Sequence, residues 1–241
     1  MPEIAIVAAL EREIRPLVKG WPASEREHSG RRYRFSESGT TVAVCGGIGP
    51  EAARRAAEAV IALYKPAVVE SVGFAGALDN TLRVGDVCEV RYVIDSSDGS
   101  RTDTGVGTSV LVSSASVASE EQKAKLAKAY GAQLVDMESA AVAKSAEAHG
   151  LPFRAVKVVS DEAGFPMPPM ELFIGRDGSF HSGKFALHAA VRPWLWSTVF
   201  RLTRNSGKAS RALCHQLKLQ QKSTGLDSAP VPAAMAKDGH R

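Results

Sequence analysis

Three short apolar runs in this sequence are followed at once by carboxylates. "IAIVA", Ile4 to Ala8, leads into Glu11 and Glu13. "QLVDMES" sets Asp136 and Glu138 on either side of Met137, and "FRAVKVVS" ends at Asp161. Any one of these acids, taken alone, reads as a helix cap that meets backbone N–H groups and the positive end of the dipole. Three of them on one rim point to chemistry. Ligands of open α/β sheets collect at the carboxyl ends of the strands, so acids far apart in sequence would converge there. Several carboxylates without metal-ligand histidines suit acid–base work on a glycosidic bond. One protonated carboxyl gives a proton to the leaving group; another, ionised, activates water or holds sugar hydroxyls. Crowded like charges raise at least one pKa, which lets a carboxyl act as an acid near neutral pH.

A glycine loop lies between the first two of these sites. "GIGPEA", Gly47 to Ala52, follows an apolar run and opens an alanine-rich stretch, with Glu70 further on. On paper this satisfies the dinucleotide fingerprint, with Glu70 on a ribose hydroxyl. A fingerprint usually occupies the first strand–helix unit, and here one precedes it. Two other readings stand: a tight turn needing glycine for positive φ, or a loop that brings backbone N–H groups to a ribose or an anion.

The elements that must position these residues follow from periodicity and punctuation. Strands are expected over Ile4–Ala8, Thr41–Cys45, Val68–Val72, Val110–Ser113, Leu134–Asp136 and Phe153–Ser160, with a strand pair in Val84–Val93 around Gly85–Asp86. Helices are expected over Glu11–Val18, from Pro50 to Tyr64, and over Glu138–His149 with Gly150 as its stop. Ser119 with Gln122 forms a capping box that opens another helix, ending at Tyr130. Ser96–Gly107 reads as a loop, and "AGFPMPPMELFIGRDGSFH" as a proline-broken loop after Asp161, with "FPMPPMELF" a candidate lid or plain connector. The remainder reads as helical, with Pro193 at a helix start. Alternating strands and helices give an α/β fold: a three-layer sandwich, a mixed central β-sheet flanked by helices. A single domain is expected over residues 1–222, and a tail without core material, expected to be disordered, over 223–241.

Composition removes other classes. The chain has 241 residues, 44% hydrophobic and 23% charged, with a net charge of +4, which suits one globular domain. The basic excess is mild and lies late, without the aromatic or motif support of a nucleic-acid binder. Cys45, Cys88 and Cys214 are far apart, odd in number and without metal-ligand spacing, so they read as buried small apolar residues in a reducing, cytoplasmic protein. His181 and His188 have no serine or cysteine motif beside them, and read as surface or capping residues. No signal peptide and no apolar run long enough to span a bilayer is evident.

Several segments together resemble one family. "IAIVAALEREI", "GGIGPEAA", "SVGFAGAL…VGD" and "VDMESAAVAKSAEAHGLPFRAVKVVSDEAG" are similar, in order, to the superfamily of purine nucleoside phosphorylases and methylthioadenosine/S-adenosylhomocysteine nucleosidases, over most of Ile4 to Ala163. The resemblance implies roles. Glu138 would hold ribose hydroxyls with Met137 packed on the sugar and Asp136 in support. Asp161 would protonate or hydrogen-bond purine N7. Glu13 would activate the nucleophilic water, with Glu11 as runner-up. Gly47, Gly49, Gly73 and Phe74 would lie near ribose or phosphate. It implies cleavage of a purine N-ribosyl bond, no cofactor, no metal, phosphate as a conceivable co-substrate, and at least a homodimer.

Departures accompany the match. The nucleosidases usually have serine where this chain has Phe74. The related phosphorylases carry a phosphate-binding arginine at the position of Ser71, and Gly-Asp where this chain reads Ala8–Ala9. The purine-stacking aromatic is replaced by Val117 or Ala118. The loss of phosphate ligands favours water as nucleophile. Phe74 and the missing stacking residue leave room for a binding module without turnover, and "GIGPEA" for a dinucleotide-dependent oxidoreductase. "SVGFAGALD", "VDMES" and "RPWLWSTVFRLTRNSGKASRAL" are most similar to the hopanoid-associated phosphorylases, taken to remove adenine from adenosylhopane. This implies phosphate as nucleophile and a large apolar 5′ substituent. On Pro193–Asn205, Trp194, Leu195, Val199 and Leu202 share one side while Trp196 and Phe200 cover much of the rest. A helix apolar nearly all round belongs to a core or subunit interface, or meets something greasy such as a lipid-like substrate.

Overall fold

The computed structural model describes residues 2–227, and the side chains of 2–222. The strands are β1 (Ile4–Ala8), β2 (Ala23–His28), β3 (Arg31–Ser38), β4 (Thr41–Cys45), β5 (Val68–Ala77), β6 (Val87–Asp95), β7 (Arg101–Asp103), β8 (Ser109–Ser113), β9 (Leu134–Asp136) and β10 (Phe153–Asp161). The helices are α1 (Glu11–Val18), α2 (Pro50–Tyr64), α3 (Glu120–Tyr130), α4 (Ser139–Ala148), α5 (Ser182–Ala190) and α6 (Pro193–Asp227), with a 3₁₀ turn at Met170–Phe173.

One mixed sheet holds all ten strands in the order β10-β6-β8-β9-β5-β1-β4-β3-β2, with β7 on β6. β10 also pairs in parallel with β5, so β5, β10, β6, β8 and β9 curl into a closed ring while β1, β4, β3 and β2 continue as an open wing. β1 lies between β4 and β5, parallel to both. Short apolar strands buried on both faces need helices on both sides. α2 and α4 cover one face, where Ala53, Ala56, Val60, Val142 and Ala146 pack on Val44, Val69 and Ala75. α1 and the second half of α6 cover the other, where Ile14, Leu17, Leu213 and Leu217 meet Ile6, Val72 and Val158. The mixed α/β sandwich is the expected architecture.

Local signals behave as their chemistry dictates. Gly49 caps α2 at φ 96° with Pro50 in its first turn. The Ser119–Gln122 box closes both ways: the Ser119 amide donates to Gln122 Oε1 at 2.8 Å, and the Gln122 amide to Ser119 Oγ at 3.3 Å. Differences arise where sequence pattern is weak. Val84–Val93 is not a strand pair: Gly85–Asp86 belong to a turn, and only β6 follows. β2 and β3, too charged to read as buried strands, form a hairpin at the sheet edge. The Ser96–Gly107 loop contains β7. Of the tail expected from Ser223, the backbone to Asp227 continues α6, and 228–241 lie outside the described residues.

The largest difference is β5. The run does not close after Val72 but continues through "GFAGA" to Ala77. Glycine inside a strand marks a place where another group comes close. A Cβ on Gly73 would stand 2.7 Å from Glu13 Oε2, and one on Gly76 would stand 2.9 Å from Asp161 Oδ2. These glycines make room for two of the acids.

Candidate active site

The acids from β1, β9 and β10 meet in one cavity. Its walls include Glu13, Asp136, Met137, Glu138 and Asp161, with Phe74 and Gly76 from β5 and Ile48 from the glycine loop. Apolar residues close much of the rest: Leu10, Val117, Met167, Met170 and Leu202. Gly47 and Gly49 turn the chain at φ 110° and 96°, and Gly178 packs on Gly47, its carbonyl accepting from the Ile48 amide at 2.8 Å.

Glu13 is buried on the inner side of α1, whereas Glu11 is exposed. Glu13 Oε2 accepts from the Ala9 and Leu10 amides at 3.2 and 3.4 Å, folding the carboxyl back over the helix start. Burial pushes its pKa up to about 7, against the opposing pull of the Lys157 cation. Glu138, at the N-cap of α4, accepts at Oε1 from the Gly49 amide at 2.8 Å, and at Oε2 from the Met137 amide at 3.2 Å. The glycine loop thus serves the site by offering a backbone N–H to a protein carboxyl. Burial first, and then the nearby Asp136 charge, push the Glu138 carboxyl up to about 8.

Asp136 is engaged inward. Ser113 Oγ donates to its Oδ1 at 2.6 Å; the Ser139 hydroxyl and amide donate to Oδ2 at 2.6 and 3.1 Å; Lys157 Nζ stands 3.0 Å from Oδ2. Asp136 therefore ties β9, α4 and β10 together beneath Glu138. Asp161 is almost wholly buried, with Ser160 Oγ donating to Oδ1 at 2.7 Å and Lys123 Nζ to Oδ2 at 2.5 Å. Lys123 Nζ also donates to the Glu162 carbonyl at 2.9 Å.

Two buried lysines are new to the site. Lys157 stands among the valines of β10, where a cation in an apolar run is itself a signal. It reaches Ser71 Oγ at 2.9 Å. Lys123 sits in the charged sequence "EEQKAKLAKAY", and nothing in that pattern separates it from a surface lysine. Glu70 is third in β5, paired in register with Ile6 and facing the Arg154 guanidinium at 3.8 Å. It is not at the strand end, so it stands apart from the glycine loop and cannot share a ligand with it in the dinucleotide manner. Cys45 is half-buried, its thiol pushed up to about 12 by burial and the nearby glutamates, while Cys88 and Cys214 are buried. His181 is exposed before α5, and His188 packs edge-on against Phe173.

Two expected results follow from this geometry. Lys123→Met strands the Asp161 charge in a dry site, and breaking a buried pair costs about 3 kcal/mol or more. Lys123→Met/Asp161→Asn should recover much of that loss in a chemical-denaturation double-mutant cycle; additive losses would refute the coupling. Glu138→Gln should raise the melting temperature at high pH. Its folded pKa lies near 8, above the ordinary value of 4.5, so the folded state holds the proton more tightly. That contribution is complete below the unfolded pKa and is lost as pH rises through 8. Glutamine cannot ionise, so its advantage over glutamate should be on the order of 10 °C greater at pH 9 than at pH 5 in scanning calorimetry. An equal effect at both would remove the titration from the account.

The fold is the mixed α/β fold of nucleoside phosphorylases and nucleosidases. The chain belongs to the phosphorylase superfamily, whose family model matches residues 3–109 and 106–173. No curated protein matches it. Among solved structures it is similar to futalosine hydrolase of Helicobacter pylori strain 26695, with TM-score 0.68 and 16% identity over 92% of this chain and 98% of that one. It is equally similar to the 5′-methylthioadenosine/S-adenosylhomocysteine nucleosidase of Neisseria meningitidis in complex with methylthio-immucillin-A, with TM-score 0.68 and 19% identity over 92% and 100%. The corresponding nucleosidase of Colwellia psychrerythraea 34H, in complex with adenine, aligns with TM-score 0.58 and 23% identity over 66% and 82%.

Proposed function

We propose that this protein hydrolyses the N-glycosidic bond of an adenine nucleoside that carries an apolar 5′ substituent. The observation that supports the reading is the meeting of Glu13, Glu138 and Asp161 in one largely apolar cavity. Ribose hydroxyls sit on Glu138, with Met137 against the sugar. The base lies toward Asp161, and a proton passes from the Lys123 ammonium through the Asp161 carboxylate to N7 as the bond from C1′ to N9 breaks. Glu13 takes a proton from water as its oxygen bonds to C1′. Nucleoside and water become adenine and the free sugar, and Lys123 and Glu13 are reset through solvent. The oxocarbenium-like transition state is favoured by the carboxylates around it.

Water is preferred to phosphate on electrostatic grounds. A phosphate dianion beside Glu13 and Glu138 needs an uncommitted cation. Both buried lysines are already paired, Lys123 with Asp161 and Lys157 with Asp136, and the exposed Arg12 at the cavity wall lies over the Phe180 ring. The apolar 5′ group, of which adenosylhopane is one instance, is supported by Met167, Met170, Leu10 and Leu202. The deciding assay measures adenine release from 5′-methylthioadenosine and from longer 5′-alkylthio homologues, with and without phosphate. The expected products are adenine and free thioribose without phosphate, with kcat/KM rising with alkyl length. No adenine under any condition overturns the reading; a sugar 1-phosphate formed only with phosphate overturns its hydrolytic part.

A further inference from the structure

The first half of α6 behaves unlike the second. From Ala209 onward its inner side is buried against α1 and β10 through Leu213, Cys214 and Leu217. Its first turns carry Trp194, Trp196 and Phe200, and these face solvent. Of the eight large hydrophobic side chains exposed among the described residues, six are Leu172, Leu187, Val191, Trp194, Trp196 and Phe200, each 56–73% exposed. The sequence reading of a core helix therefore fails here within the chain itself. At 100° per residue, Trp194 lies about 160° round the helix from Trp196 and about 120° from Phe200. α5 ends at Ala190 and α6 begins at Pro193, so Leu187 and Val191 join the same corner. Apolar groups on several sides of a helix corner make a tip, not a stripe.

Along α5 and α6 themselves, short of Asp227, the charge has one sign. Between Asp177 and Asp227 the chain has eight Lys or Arg and no Asp or Glu, leaving 22 basic against 26 acidic residues elsewhere. Lys184, Arg192, Arg201 and Arg204 belong to the tip itself or its margins, and all but the half-buried Arg192 are exposed. Tryptophan with a collar of lysine and arginine is the composition that settles at the boundary of headgroups and acyl chains of an anionic bilayer. A second copy fits worse: a two-fold contact through this patch would bring the same basic segment against itself. No helix among the described residues is long and apolar enough to cross a membrane.

We propose that the α5–α6 corner docks this protein on the surface of an anionic lipid bilayer, inserting Trp194, Trp196 and Phe200 at the interface. Leu202, two residues beyond Phe200 and on the far side of the helix from it, lines the candidate cavity, so the docked corner lies one helix width from the site. The docking does not depend on the proposed reaction, and it is measured without turnover.

The full chain is floated with vesicles of phosphatidylcholine containing phosphatidylglycerol, and with pure phosphatidylcholine. Association with the anionic vesicles is expected, weakening as salt shortens the Debye length from about 10 Å at 0.1 M toward 3 Å at 1 M. With Trp21→Phe in place, Trp194 and Trp196 should report binding by a blue shift in emission. Trp194→Ser/Trp196→Ser/Phe200→Ser should weaken association by at least about tenfold, with its fold checked by thermal melting. Lys184→Glu/Arg204→Glu should weaken it as well, and stands in if the triple variant does not fold. Absence of binding to anionic vesicles at low salt overturns the proposal, as does binding that both variants leave unchanged. Light scattering that shows a wild-type oligomer split by the triple variant, with no vesicle binding, overturns it in favour of a contact between copies.

Discussion

Asp161→Asn should lower the turnover of an adenine nucleoside by about a thousandfold and leave the affinity for an unreactive adenosine analogue within a few-fold. The change removes one oxygen charge and little volume. What is lost is the path by which a proton from Lys123 reaches the purine as its bond to C1′ breaks, because an amide cannot relay it. The change also leaves Lys123 without its partner at 2.5 Å, so a fall in stability is expected and has to be separated from the chemistry. The leaving group does this. A p-nitrophenyl riboside departs as a stable phenolate and needs no proton. Asp161→Asn should cleave it nearly as fast as the parent protein. If the variant loses as much on the activated substrate as on the nucleoside, Asp161 is structural, and the acid must be sought elsewhere in the cavity.

The sequence made much of this site readable because strand ends are readable. β1, β4, β9 and β10 are short, apolar and sharply punctuated, and in an α/β sheet the acids that follow such runs share one rim. Strand ends alone point to Glu11, Glu13, Asp136, Glu138 and Asp161 alike, and only the family resemblance sets Glu13 before the exposed Glu11. Strand ends cannot divide their duties. Asp136 and Glu138 are two residues apart, yet one is drawn beneath the cavity by Ser113, Ser139 and Lys157 while the other faces the glycine loop. Only tertiary packing makes that difference. Local pattern also misled at β5, where glycines read as a strand's end. They are there because Glu13 and Asp161 need the space a Cβ would fill. Lys123 is hidden for the converse reason: a lysine on an amphipathic helix advertises solvent, and its burial follows from α3 packing beside β9, which brings the ammonium to Asp161 at the end of β10.

Glu13→Gln should reduce kcat/KM by two to three orders of magnitude, on the order of the contribution of a positioned base, and should also change the shape of the pH profile. A general base must be ionised. Burial lifts the Glu13 carboxyl from 4.5 to about 7, so the active form predominates above pH 7 and declines tenfold per unit below it. The parent protein should therefore show an acid limb near neutrality, well above that of an ordinary carboxylate, and the residual activity of Glu13→Gln should lack it. Glu138, raised to about 8, titrates in the same region, so Glu138→Gln is the necessary control: it should weaken ribose binding yet retain the limb that belongs to Glu13. Gly73→Ala supplies an independent route to the same group. Its methyl would stand 2.7 Å from Glu13 Oε2, displacing the carboxyl without removing it. Activity should fall toward that of Glu13→Gln, while the carboxyl is still there to titrate. A limb that persists unmoved in Glu13→Gln would assign the base to another residue, whereas its loss there, with a shifted limb in Gly73→Ala, ties the chemistry to where α1 holds this one side chain.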